Sequence, residues 1–255
     1  MKLLIALRSE MLKSRRTASF FLALTGAALI PAILLLNILT GGSDLTAMQQ
    51  DPLNELFKLG AERDGIVFFP VFVILVCTLL PQIEHRNNTW KQVLAAPQAK
   101  GNTFLAKFIN INLLMLVYLA AHLVFMLIVV VTTHFYVPEL KLLHQPFDIA
   151  MVLKRTGNIY ISMLAVCAFQ FWLGLRFRNF IVPTAAGFVL WIIGVITVLE
   201  YHSFLANYFP YSFQIFPFAS EFQSKITQMV WLSAAYAGLF LLLGFLDFRR
   251  RRLTA

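Results

Sequence analysis

Charge is what this sequence has least of. Asp, Glu, Lys and Arg together make up 13% of its 255 residues, about half the roughly 25% of an ordinary water-soluble domain. A surface that sparse in charge excludes a typical soluble globule. Cysteine is nearly absent too: Cys77 and Cys167 each lie inside an apolar block, without CxxC spacing and with no histidine nearby in sequence. That excludes a disulfide framework and a zinc site and leaves them as packing residues. The phosphate-cradling pattern GxxxxGK[ST] does not occur, and no polar segment is long enough to build a nucleotide-binding domain, so any ATP hydrolysis belongs to another chain. GxSxG, HExxH and paired-glutamate patterns are missing as well. His122 is the one titratable group in the middle of an apolar run. With no Asp, Glu or second His beside it in any run, it reads as a packing or hydrogen-bonding residue, which argues against an intramembrane protease or transferase. The same lack of mid-run carboxylates and cations argues against ion-coupled transport, since Asn110, Asn112 and Gln170 are uncharged. Facilitated diffusion stays open.

What is present in excess is apolar length. Hydrophobic residues make up 59% of the chain, and they fall into six charge-free runs, 17–39, 65–83, 108–131, 157–175, 180–199 and 226–246, of 19 to 24 residues each. At about 1.5 Å per residue each run crosses a hydrocarbon core of about 30 Å. Lipid offers the backbone no partners, so the runs are expected to be helices. The fold class expected is all-α integral membrane, one domain over residues 1–255. The first run is too long for a signal-peptide core and lacks a small-residue cleavage site, so it is expected to be an uncleaved span.

The net charge of +9 is not a nucleic-acid footprint, because the basic residues flank apolar runs and no basic domain could fold alone. Fifteen of the 21 Lys and Arg residues fall on one side of the spans, from Lys2, Arg8, Lys13, Arg15 and Arg16 through Arg86, Lys91, Lys100, Lys107, Arg176 and Arg178 to Arg249–Arg252. Nine of the 12 acids, Asp64 among them, fall on the other. The positive-inside rule makes the first side cytoplasmic, with both termini there.

Three segments outside the spans carry pattern. Residues 1–16 place Leu3, Leu4, Leu7 and Met11 at helical spacing, with Arg8 elsewhere around the turn, which predicts an amphipathic helix lying in the inner interface. In the inner loop 84–107, Asn88 or Thr89 signals a helix start and Pro97 a stop; Trp90, Val93 and Leu94 then form one apolar face on a helix of about two turns. Such a face suits docking into a cytoplasmic protein, or anchoring of Trp90 among headgroups. The helix restarts after Pro97 at Gly101 and runs through Lys107 into span three. Residues 200–225 hold Tyr208, Phe209, Tyr211, Phe213, Phe216 and Phe218, interrupted by Pro210 and Pro217. They predict one or two short re-entrant or interfacial helices that cap an exit path or anchor at the boundary. Pro31, Pro70 and Pro183 lie within spans, as hinges or as simple packing features.

The start Leu7-Arg8-Ser9-Glu10-Met11-Leu12-Lys13, followed by a span, and then Glu84, Asn88-Thr89-Trp90, Leu94, Pro97, Gly101 and Ala106-Lys107 after span two, resembles the ABC-2 type permeases. Among these it is similar to the small six-span permeases of lantibiotic immunity and bacitracin-type resistance. The resemblance implies an ABC-2 (type V exporter-like) architecture in a bacterial cytoplasmic membrane and a non-catalytic subunit. It implies that Trp90, Val93 and Leu94, with Thr89 at the helix start, form a coupling helix seated in a separate ATP-binding subunit, and that Glu84 is the acidic residue opening this loop at the inner end of span two; the partner binds ATP and Mg while this chain needs no cofactor. It also implies a second permease, identical or not, and export of an amphipathic peptide antibiotic, drug or lipid. A six-span secondary transporter or channel without an ATPase is the alternative.

Overall fold

The computed structural model describes residues 2–15, 17–41, 51–86, 99–200 and 204–250. Among them every regular element is helical, and six helical stretches are long and apolar enough to cross a membrane: Ala18–Leu39, Pro52–His85, Lys100–Tyr136, Ile149–Arg176, Ile181–Leu199 and Ser220–Arg250. In chain order the helices are α1 (Lys2–Ser14), α2 (Ala18–Leu39), α3 (Pro52–Arg63), α4 (Phe69–Arg86), α5 (Lys100–Tyr136), α6 (Ile149–Ser162), α7 (Leu164–Arg176), α8 (Ile181–Leu199) and α9 (Ile226–Arg250). A π-helical turn, Asp64–Phe68, joins α3 to α4, and α6 passes into α7 at Met163. α1 and the C-terminal end of α9 lie at the same end of the bundle, where Lys107 meets Glu10 and Lys100 meets the Arg249 carbonyl.

Local chemistry sets the boundaries. Pro52 occupies the first turn of α3, where its missing N–H costs nothing. Asp148 caps α6 by accepting from the Met151 amide at 2.8 Å, satisfying a donor that no helical carbonyl reaches. Asn54 then stitches the starts of α3 and α6 together: its amide donates to the Pro146 carbonyl at 3.0 Å and its oxygen accepts from Asp148 N at 3.0 Å.

The interior is aromatic and closely packed. Phe72 stacks on Tyr118 at 4.6 Å between ring centres, and Phe104 meets Phe171, Phe245 and Phe248 at 5.1, 5.6 and 5.8 Å, which ties α5 to α7 and α9. Cys77 and Cys167 are free and fully buried where α4 crosses α7, with sulfurs 3.7 Å apart. Conversely, Leu36, Val124, Leu127, Ile128, Val189, Ile192, Trp231 and Leu242 are exposed. In water this would be an aggregating surface; in hydrocarbon it is the solvent-compatible face.

Three boundaries differ from the sequence expectation. Span two does not begin at Gly65 but extends a helix that starts at Pro52. Charge counting therefore placed Glu55, Glu62 and Asp64 in a loop, whereas they lie on helix. Span four begins at Ile149, not Gly157, because Lys154 and Arg155 are tolerated one to two turns inside the helix. Residues 204–225 form three 3-10 segments, Phe204–Asn207, Pro210–Ile215 and Ser220–Lys225. They do not lie flat at a boundary: Tyr211, Phe213 and Phe216 are buried at 3, 0 and 1% exposure. Proline at the start of the middle segment and poor i,i+4 continuity keep these pieces short, and the rings find a dry partner in the protein instead of the headgroups. Of the six aromatics expected to cap the bundle, only Tyr208 is exposed; Phe209 and Phe218 are half-buried.

The α4–α7 crossing depends on Gly174, where a Cβ would run into the Cys77 backbone carbonyl. Gly174→Ala is expected to cost about 1–3 kcal/mol by overpacking, read as a lowered thermal midpoint in detergent. Gly238→Ala meets nothing within 4 Å and is expected to leave the midpoint unchanged or slightly raised.

Candidate functional site

At the end that carries the termini, four charged side chains from three helices meet. Lys107, near the start of α5, donates to Glu84 Oε1 at 2.5 Å and to Glu10 Oε2 at 2.8 Å. Lys13 reaches Glu10 Oε1 at 2.8 Å and Glu84 Oε1 at 3.2 Å. Lys107 and Glu84 are almost completely enclosed, at 3% and 2% side-chain exposure. The quartet carries no net charge, as a buried ionic cluster must if desolvation is to be offset. Ser14 and Asn110 extend it: Ser14 Oγ lies 3.3 Å from Asn110 Oδ1, and Asn110 Nδ2 donates to the Glu10 carbonyl at 3.5 Å.

The helical register brings these groups together. On α1, Ala6, Glu10 and Ser14 recur every four residues and are buried, with Leu3, Leu7 and Lys13 half-buried beside them. Leu4, Ile5, Met11 and Leu12 are exposed, as is Arg8. The apolar face expected on residues 3, 4, 7 and 11 is thus split, with one edge against the bundle and the other toward lipid. Burial alone pushes the Glu10 carboxyl up, but Lys107 and Lys13 outweigh it and hold it below its ordinary 4.5. Burial likewise opposes the charge on Lys13, and Glu10 with Glu84 more than compensates, holding it above 10.5.

Glu84 and Lys107 are the two roots of the loop between the second and third spans. Thr89, Trp90, Val93 and Leu94 lie outside the described residues. Glu84 belongs to the quartet, and its Oε2 is buried with no hydrogen-bond partner among the described residues. Sequence reading took Lys13 and Lys107 for positive-inside flanks and Glu10 for part of a family pattern, and brought none of them together. The signal available was one lysine at the foot of an apolar run, with two acids on elements that the topology brings to the same end.

A second polar centre lies within the bundle. Tyr118 donates to Asp64 Oδ1 at 2.7 Å, and His122 Nδ1 stands 3.9 Å from Asp64 Oδ2 and 3.3 Å from the Ala27 carbonyl. Asp64 is 2% exposed. His122 therefore has an acid beside it inside the spans, contrary to the expectation from sequence. The spans thus do hold a carboxylate, as ion-coupled transporters do. A cavity of about 10 Å³ lies among Asp64, His122 and Arg155, room for about one water.

Within the bundle, Gln170 joins three elements. With its amide oriented so that each end meets a complementary group, it donates to the Pro183 carbonyl at 3.2 Å and accepts from Tyr211 OH at 2.9 Å and Gly187 N at 3.2 Å. A Cβ at Gly187 would occupy the space of that amide. At the end with the termini, Arg176 pairs with Asp247 at 2.5 Å, closing the tight α7–α8 turn onto α9.

These features define a class: a multi-pass α-helical membrane protein whose interfacial helix and second inter-span loop share one buried ionic joint. Residues 6–194 match the family described as ABC-2 family transporter protein, so the chain belongs to the ABC-2 transporter family. It is a transporter permease, and membership implies an ABC ATP-binding partner and a membrane setting. No curated protein matches the chain.

Lys107→Met removes the shared cation and leaves two buried carboxylates facing each other. It is expected to cost about 3–5 kcal/mol, measured as a fall in thermal midpoint, and to raise amide exchange over Leu3–Ser14. The pH window follows from the two shifts. Glu10, held low, contributes stability above 4.5 that is lost as pH falls through its depressed value. Lys13, held high, contributes fully below 10.5 and loses its part as pH rises through its elevated value. Protection of α1 is expected to be flat between these limits and to fall outside them.

Proposed function

We propose that this chain is the permease subunit of an ATP-driven ABC-2 exporter or resistance transporter, seated in a bacterial cytoplasmic membrane with both termini inside. The observation that carries this reading is the buried Glu84–Lys107–Glu10–Lys13 joint. It ties both roots of the inner loop to the interfacial helix, so a push on the loop is delivered to α1, α4 and α5 together. Trp90, Val93 and Leu94, with Thr89 at the helix start, form the seat in the ATP-binding subunit, and that subunit holds ATP and Mg. Closure of two such subunits on ATP moves two permeases, copies of one chain or of two related ones, and opens a path between them.

The last two spans support the paired arrangement. Only 28% and 22% of their apolar windows are buried within this chain, against 56% and 61% for the second and fourth. The cargo is an amphipathic peptide, drug or lipid, moved outward, in keeping with the likeness to the lantibiotic-immunity and bacitracin-resistance permeases. A secondary transporter, the second reading, gains the buried Asp64–His122 pair in its favour.

Trp90→Glu and Leu94→Glu are each expected to abolish co-purification with the ATP-binding subunit encoded beside this chain and to bring ATP turnover to the level of that subunit alone. Unchanged complex formation and turnover in both variants would remove the seat assignment. Transport driven by a pH gradient without any ATPase would favour the second reading.

A further inference from the structure

A cleft of about 570 Å³ opens between α6 and the segment that leads into α9, at the end opposite the termini. Its volume is that of a small-molecule site. Its polar lining comes from Asp148, Lys154, Arg155, Asn158, Gln223 and Thr227. Two of these are cations, and neither has a carboxylate within 4 Å among the described residues. The one acid in the lining, Asp148, is engaged in capping the Met151 amide at 2.8 Å. Arg155 stands 5.6 Å above the Phe218 ring, a contact that engages the face of its guanidinium and not its N–H groups.

Depth identifies the kind of anion. Arg176 marks the other end of the same helical stretch through its bond to Asp247. Arg155 stands 21 residues before it, which at about 1.5 Å per residue is about 31 Å, one hydrocarbon thickness. Lys154 and Arg155 are therefore at headgroup level of the opposite leaflet. On the hydrocarbon side of the cations, one helical turn beyond Thr227 on α9, Trp231 is 72% exposed, so the ground next to the cleft is suited to acyl chains, not to water.

We propose that this cleft binds the phosphate-bearing headgroup of an acidic lipid in the leaflet opposite the termini. Lys154 and Arg155 hold the phosphate, Asn158, Gln223 and Thr227 offer hydrogen bonds to the polar substituent, and the acyl chains lie along α9 beside Trp231. Free inorganic phosphate presents the same chemistry but makes no use of the apolar ground.

Trp231, 72% exposed and one helical turn beyond Thr227, is a built-in reporter. In a full-length chain keeping Trp231 alone (Trp90, Trp172 and Trp191 changed to Phe) and reconstituted in phosphatidylcholine vesicles, dibrominated phosphatidylglycerol is expected to quench it at about one-tenth the mole fraction that dibrominated phosphatidylcholine requires. Lys154→Gln with Arg155→Gln is expected to erase that preference, and Lys154→Arg with Arg155→Lys to restore it. Inorganic phosphate in the buffer is expected to leave it unaltered. A preference that survives the glutamine pair overturns the proposal, as does its loss in both pairs, since the site would then depend on shape and not on charge. Relief of quenching by inorganic phosphate would overturn the lipid as occupant. The vesicles carry the lipid in both leaflets, so the outcome does not depend on which way the chain is inserted.

Discussion

Lys107 is held by two carboxylates from different helices, in a bundle with hydrocarbon beyond its wall. An ammonium and a carboxylate taken out of water cost several kcal/mol each after relaxation. Mutual pairing is what makes their burial tolerable. Because Glu10 comes from α1 and Glu84 from α4 while Lys107 is on α5, satisfying one lysine fixes the position of three helices. The interfacial helix cannot drift along the membrane surface without uncovering Glu10. The feet of α4 and α5 cannot separate without opening Glu84. Lys13 closes the set by contacting both acids, so no single bond carries it.

The Asp64 centre obeys the same constraint with a different solution. Here no lysine or arginine is within ion-pair distance among the described residues. The acid is met by a phenol at 2.7 Å and a histidine at 3.9 Å, groups that stabilise a carboxylate less strongly than a cation does. The π-helical turn begins at this residue, and such turns inside helices frequently accompany functional positions. The two centres are thus unequal: the one at the foot of the bundle is a closed, neutral joint, while the one between α4 and α5 is only partly compensated and sits against a cavity that Arg155 shares.

Six long apolar helices, a helix at the N-terminal segment and the restart of the third span near Gly101 were legible from sequence, because each is written in a local pattern of apolar length, helical spacing or helix-breaking residues. Partnership was not legible. Glu84 and Lys107 are 23 residues apart, and Lys107 and Glu10 are 97 apart. Hydropathy treats each as a flank that delimits a span, and it cannot say which flanks meet. Asp64 was misplaced for the same reason. A charge was taken to end a hydrophobic run, although Tyr118 and His122 let it continue one. The outer aromatics were read as boundary anchors by composition, and burial of Phe213 and Phe216 depended on a dry cleft that only the assembled helices provide.

Helix α4 links the two ends. Its foot holds Glu84, and its middle packs Cys77 against α7, where Gly174 lets the backbones approach. From α7, Gln170 reaches both α8 and Tyr211 of the far segment. A displacement at the loop roots therefore meets, in succession, an ionic joint, a close backbone crossing and an amide bridge. The close backbone crossing and the amide bridge yield little, since packed backbones and hydrogen bonds tolerate only small displacements. Such a chain transmits motion as a rigid unit or breaks at its weakest member. The weakest is the amide bridge, which is uncharged. Relative movement of the far segment against α8 is consequently expected to occur there, with the joint at the foot staying closed.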